Sequence, residues 1–288
     1  MNFKYLKYEA ADGVLVLTLN RPEHLNAQTA ESCAELIAAF DYADQDDEVK
    51  ALIVTGAGKA FCAGADLSAA ADAGSFLDRF TGKAGKVDHR DEGGMVALRI
   101  YDMKKPVIAA INGAAVGFGA TLTLPMDIRI ASSKAKMGFV FARRGIGLDA
   151  CATWFLPRLV GMGVASEWVY SGRVFSSQEA YEKGLVTWLV EPEDLITRAK
   201  QIALEITDNA SSIAVALCRQ MMWKMLGADH PMEAHILESK YLNWLYGQPD
   251  AHEGVMSFLE KRPPKFPMNV SRDMPSFYPW WNPRKYRQ

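Results

Sequence analysis

Lys105–Ala120, KPVIAAINGAAVGFGA, is the stretch on which the reading of the fold turns. Val107 to Ile111 is an apolar, partly β-branched run closed by Asn112 and Gly113, the pattern of a strand buried on both faces. Gly117, Phe118 and Gly119 follow, where glycine lets backbone N–H groups approach a ligand and take conformations closed to other residues. From Pro106 to Met126 the chain carries no charge and is long enough in principle to span a bilayer. Its glycines, Asn112 and flanking prolines suit a strand, a turn and a helix start instead, and no membrane span is expected.

Working outward, Val14–Leu19 (VLVLTL), Ala51–Thr55 (ALIVT) and Asp127–Ala131 (DIRIA) are further strand candidates. Thr29 to Tyr42 places Cys33, Ile37 and Phe40 at helical spacing, with Gln28 and Thr29 available near its start. The second half changes character. Residues 163–171, 177–183, 193–207, 213–226, 232–246 and 252–261 all read as helices separated by short loops. Strands early and helices late point to an α/β core followed by a helical C-terminal region, with a boundary near Pro192 to Thr197. The expected division is a core over 1–195, a helical region over 196–266 and an irregular, proline-rich strap over 267–288. Gly74 to Gly94 is polar and aperiodic, the composition of a loop or loosely held helix that shapes a pocket.

With 288 residues, 49% of them hydrophobic and 23% charged, the chain has the composition of a packed globular protein. Lys and Arg total 32 against 34 Asp and Glu, a net charge of -2 that offers no general attraction to nucleic acid or anionic membrane. Cys33, Cys62, Cys151 and Cys218 have no metal-ligand spacing, so neither a disulfide nor a zinc site is expected. The opening MNFKYLKYEAADG lacks the continuous apolar segment of a secretory signal, and a cytoplasmic location is expected.

A second glycine-rich stretch, TGAGKAFCAGADL (Thr55–Leu67), also follows a strand. Its GAGK is followed by Ala60 where a phosphate-binding loop requires Ser or Thr. Leu122 stands where a dinucleotide fingerprint requires a third glycine after Gly117 and Gly119. Neither loop is therefore read as a nucleotide site. Taken in order, NRPEHLNA (Asn20–Ala27), AFCAGADL (Ala60–Leu67), KPVIAAINGAAVGFGA and DIRIAS (Asp127–Ser132) resemble the enoyl-CoA hydratase/isomerase (crotonase) superfamily. The resemblance continues through GLDACATWFLPRLVG (Gly147–Gly161), SGRVFSSQEAYEKGLV (Ser171–Val186) and SFLEKRPPKF (Ser257–Phe266).

That resemblance implies an α/β fold, a spiral of β-β-α units with a C-terminal helical trimerisation region, assembled as a homotrimer or a dimer of trimers. It implies an acyl-CoA substrate, with coenzyme A entering as part of the substrate, no permanently bound cofactor and no metal. Two backbone N–H groups, matched to Ala65 and Phe118, would form an oxyanion hole for the thioester carbonyl. Contacts to coenzyme A map to Leu25, Ala27, Ala63, Asp66 and Leu67, with Phe258 and Lys261 closing the site. Lys261 reads equally well as a phosphate contact or as a plain surface lysine, and Ser68 stands where relatives often carry a further lysine.

The two glutamates of the familiar hydratase pattern are replaced by Thr121 and Phe141, neither of which can act as a carboxylate acid or base. Asp149 resembles the acidic position of peroxisomal-type enoyl-CoA isomerases, and one carboxylate suffices to take a proton from C2 and return it to C4. An aspartate there is equally suited to capping a helix beginning near Ala150. Arg143 and Arg144 can pair with Asp149, hold a neighbouring subunit or remain solvated, and His89, Asp91 and Glu92 are candidates for a second acid. The leading expectation is isomerisation of 3-enoyl-CoA to 2-enoyl-CoA. The alternatives are enoyl-CoA hydration, aromatic-acyl dehalogenation and a non-catalytic acyl-CoA-binding scaffold.

Overall fold

The computed structural model describes residues 2–67 and 90–286. Strands β1 (Leu6–Ala11) and β2 (Val14–Leu19) form an antiparallel hairpin that leads into helix α1 (Ala30–Gln45). Thr29 and Ser32 cap α1 reciprocally, each side chain accepting from the other's backbone N–H, so the polar residues at the helix start stop the strand pattern and satisfy the first turn.

From there the chain winds in successive turns, each laying one strand into each of two sheets. The first turn is β3 (Ala51–Gly56), β4 (Ala60–Cys62) and, further along, α2 (Glu92–Tyr101). The second is β5 (Val107–Ile111), β6 (Ala114–Val116) and the short α3 (Phe118–Thr121). The third is β7 (Ile128–Ser132), β8 (Lys136–Gly138) and α4 (Ala152–Ser171). Strand β9 (Val174–Ser176), α5 (Ser177–Glu182) and β10 (Trp188–Val190) complete the sheets. One sheet runs β1-β2-β3-β5-β7-β10 and the other β4-β6-β8-β9, parallel except at the β1/β2 and β8/β9 pairs. The architecture is the α/β class that the sequence implies, with a C-terminal helical region.

The central strands of the larger sheet, β3 and β5, are buried on both faces, which is why they read as unbroken apolar runs. Leu15, Leu17, Leu52, Val54, Val107 and Ala109 point into the main core with Phe40, Phe61 and Ile100. The alternate residues Val14, Ala51, Ile53, Ile108 and Ala110 pack under α6 (Leu195–Asn209), against its Leu195, Ala199, Ile202 and Ala203. Helices α7 (Ser212–Met225), α8 (Pro231–Leu245) and α9 (Pro249–Glu260) follow. Met268 and Val270 pack with Ile213, Leu217, Leu237 and Tyr241 in a separate apolar cluster, which Met274, Phe277 and Trp280 flank.

Several boundaries depart from the sequence reading. Strand β7 starts at Ile128 because the Asp127 carboxylate is an acceptor for Val107 N (2.7 Å), Arg219 Nε (2.8 Å) and Trp223 Nε1 (2.7 Å) instead of facing a ladder. Helix α4 begins at Ala152, well before the expected Gly163, and carries one non-helical residue, Gly161 (φ 76°), in its middle. Residues 92–94, the end of the segment read as a loop or loosely held helix, open α2; residues 74–89 of that segment lie outside the described residues, as does Ser68. No helix among the described residues is long and apolar enough to cross a membrane, and no group of three or more His, Cys, Asp or Glu among them is placed to hold a metal ion.

Candidate active site

The NRPEHLNA segment folds into a compact turn because its polar side chains satisfy the backbone. Asn26, fully buried and left-handed (φ 58°), accepts from Arg21 N (2.9 Å) and donates to Ala57 O (2.9 Å) and Ala60 O (2.8 Å). Arg21 donates to Ala27 O and pairs with Asp66 at 2.8 Å. Ala63 N donates to Leu25 O (3.0 Å), and Gln28 bridges Ala65 in parallel register. Leu25, Ala27, Ala63, Asp66 and Leu67 are thus brought together on one small framework, with Leu25 and Leu67 exposed on it. Phe258 and Lys261 lie on and just after α9, where Phe258 is 81% exposed. No hydrogen bond or ion pair among the described residues joins either to that framework.

The two glycine-rich loops meet. Gly64 sits at φ +110°, and a Cβ there would lie 3.0 Å from Val116 O and 3.8 Å from Phe118 N. A side chain at 64 is therefore excluded by backbone conformation and by the opposing loop. This close approach sets the Ala65 segment beside the start of α3. The N–H groups of Ala65 and Phe118 donate to no acceptor among the described residues. At the start of a helix such an N–H is one of the unsatisfied donors that suit a developing negative charge.

Asp149 reaches the same place from the third turn. Thr121, fully buried at the end of α3 and three residues from Phe118, donates from Oγ1 to Asp149 Oδ1 at 2.6 Å. Thr121, which the sequence resemblance matches to a glutamate, thus supplies a hydroxyl hydrogen-bonded to a different carboxylate. Burial pushes the Asp149 carboxyl up to about 6; the Thr121 hydrogen bond opposes this and the nearby charge of Asp91 adds to it. Such a group is ionised at neutral pH yet takes a proton readily, which a carboxylate with an ordinary pKa does poorly. Burial pushes the neighbouring Cys33 and Cys62 thiols up to about 12, so both stay protonated and are weak nucleophiles.

Asp149 does not cap α4. The helix begins at Ala152 with Cys151 at its N-cap and no side-chain cap bond, and only the Asp149 backbone carbonyl accepts from Ala152 N (2.9 Å). Arg143 and Arg144 are exposed and donate to Ser171 O and Val140 O respectively, so neither pairs with Asp149. Phe141, which the sequence resemblance matches to the second glutamate, is a buried core residue. Thr121 was read in the sequence only as a missing glutamate; nothing local signals a partner 28 residues away.

A sequence profile of the enoyl-CoA hydratase/isomerase family matches residues 9–269. The enoyl-CoA hydratase ACTT3 of Alternaria alternata is 42% identical over 259 residues, spanning 89% of this chain and 83% of that protein. The 1,2-epoxyphenylacetyl-CoA isomerase of Escherichia coli is 34% identical over 263 residues, spanning 88% and 95%. Among solved structures, an enoyl-CoA hydratase from Bacillus anthracis superposes with a TM-score of 0.83 at 32% identity, covering 91% of this chain and 99% of that one. The chain belongs to the enoyl-CoA hydratase/isomerase family of enzymes, the crotonase superfamily.

Proposed function

We propose that the enzyme shifts the double bond of a 3-enoyl-CoA to the 2-position, with Asp149 as the single acid–base group. The observation that carries this reading is the Asp149 carboxylate hydrogen-bonded by Thr121 at 2.6 Å, on the same short helix that begins with Phe118. The thioester oxygen accepts from the Ala65 and Phe118 N–H groups, and coenzyme A lies along Leu25, Ala27, Ala63, Asp66 and Leu67. Asp149 removes a proton from C2, the C2–H electron pair moves into the conjugated dienolate, and the negative charge gathers on the oxygen held by the two amides. Asp149 then delivers the proton to C4, leaving the double bond between C2 and C3. Each preorganised amide contributes on the order of 3 kcal/mol to the enolate-like transition state. Exposed apolar residues on the C-terminal helices, among them Ile236, Val255 and Phe258, support assembly as a homotrimer or dimer of trimers.

Hydration of a 2-enoyl-CoA is the second reading, favoured by relatives that are named hydratases. It needs a second proton-handling group, and Thr121 and Phe141 occupy the two glutamate positions. A non-catalytic scaffold is disfavoured by the placement of Asp149 beside the Phe118 helix. Turnover of 3-enoyl-CoA and trans-2-enoyl-CoA of several chain lengths, by the wild type and Asp149→Asn with coenzyme A binding measured in parallel, separates the three. Isomerisation that is lost in the variant while binding persists supports the proposal. Dominant hydration supports the second reading, and binding without turnover supports the scaffold.

A further inference from the structure

Asp91 carries a hydrogen-bond pattern that the proposed chemistry leaves unused. Its carboxylate caps α2, accepting from Gly93 N (3.1 Å) and Gly94 N (2.6 Å). The same Oδ2 also accepts from Ala150 N at 3.0 Å, 59 residues further along the chain. A helix cap requires only the first two bonds; the third ties α2 to the residue that follows Asp149. Ala150 (φ 51°) and Cys151 (φ 56°) are consecutive non-glycine residues in the left-handed region, a conformation that persists only where surrounding contacts hold it. A Cβ on Gly93 would lie 2.8 Å from the Phe118 ring and 3.4 Å from the Ala150 Cβ. The start of α2 thus packs on the residue that offers an oxyanion amide and, through Asp91, on the loop that aims the acid.

We infer that Asp91 is a positioning residue, holding the left-handed Ala150–Cys151 turn so that the Asp149 carboxylate stays aligned beside the Phe118 amide. The inference rests on the reading of Asp149 as the acid–base group. Among the described residues, the charged and titratable groups around Asp149 are Asp91 at the head of α2, the Cys62 thiol of β4, the Cys33 thiol of α1 and the Cys151 thiol at the head of α4; Arg90 and Asp91 also act on Cys151, and Glu92 on Cys33. With both buried thiols protonated, Asp91 is the charge that disfavours ionisation of Asp149, so its removal moves the acid limb of the rate profile to lower pH.

Asp91→Ser tests this, because serine still caps a helix but is too short to reach across to Ala150. Expected is a folded enzyme whose kcat falls about 10- to 100-fold with KM within about twofold, the cost of a misaligned group away from the substrate. The acid limb moves to lower pH. Asp91→Asn keeps acceptor oxygen without the charge, and it restores most of kcat while its acid limb stays shifted. Placed in an Asp149→Asn background, Asp91→Ser adds no further loss, since its effect runs through the group already removed. Wild-type kcat and pH profile in Asp91→Ser, or a full additional loss in the double variant, overturns the inference while leaving the role of Asp149 standing. Wild-type activity in Asp149→Asn alone removes that role and the inference with it.

Discussion

Replacing Thr121 by Val deletes one hydroxyl from a fully buried position and nearly preserves its shape. The bond lost is the 2.6 Å donation to Asp149 Oδ1, a hydrogen bond to a charged group of the kind that contributes about 1.5–3 kcal/mol. That bond favours the carboxylate over the carboxylic acid, opposing the burial that pushes Asp149 up to about 6. Its removal raises the pKa further. At about 1.4 kcal/mol for each tenfold change in proton affinity, the acid limb of kcat/KM for 3-enoyl-CoA isomerisation moves up by at least about one pH unit. The base must be ionised to act, so the variant loses about fivefold at pH 6, about twofold at pH 7 and almost nothing at pH 9 through titration alone. A profile over pH 5 to 9 reads this directly. An acid limb that stays in place, or moves to lower pH, refutes the assignment of Asp149 as the titrating base.

Other outcomes follow from the same geometry. Because folding raises the Asp149 pKa from 3.8 to about 6, the stability this group contributes is present below pH 4 and lost as pH rises through 6. Asp149→Asn is accordingly more stable than wild type by about 2–3 kcal/mol at pH 8 and no more stable at pH 4, by thermal denaturation at the two pH values. Gly64→Ala forces a side chain into φ +110° and within 3.0 Å of Val116 O, so steady-state kinetics record at least a 100-fold loss of kcat, the scale of losing one oxyanion donor. Arg21→Met removes the 2.8 Å ion pair to Asp66 and the bond to Ala27 O that fold this turn, costing about 1.5–3 kcal/mol in chemical denaturation and raising KM for the acyl-CoA more than it lowers kcat.

The long elements were legible because their physics is local or strongly periodic. Val107–Ile111 is buried on both faces and Val14–Leu19 is buried on one face and half-buried on the other, so both read as apolar runs, and the polar Thr29 marks the start of α1. Strands β4, β6, β8, β9 and β10 have three residues each, too few to display an alternation, and exist because a neighbouring strand pairs with them. The start of α2 was hidden by Gly93 and Gly94, whose smallness serves packing against Phe118 and Asp91 rather than helix propensity. In the site, the glycine loops were visible as loops, while their meeting at Gly64 and Phe118 is a tertiary fact. The choice between cap and base for Asp149 could not be made from the sequence, since it depends on a bond to Thr121 and on Asp91 answering the Ala150 N–H.

The central claim is that Asp149 removes the proton next to the thioester carbonyl, and exchange of the C2 hydrogens of a saturated acyl-CoA in deuterium oxide, followed by proton NMR, tests it without requiring a completed isomerisation. The account predicts steady loss of the C2 signal with the wild type, and, with Asp149→Asn at the same coenzyme A affinity, a loss at least about 100-fold slower, the scale of removing a general base. Exchange by Asp149→Asn at the wild-type rate would contradict it and place the base elsewhere.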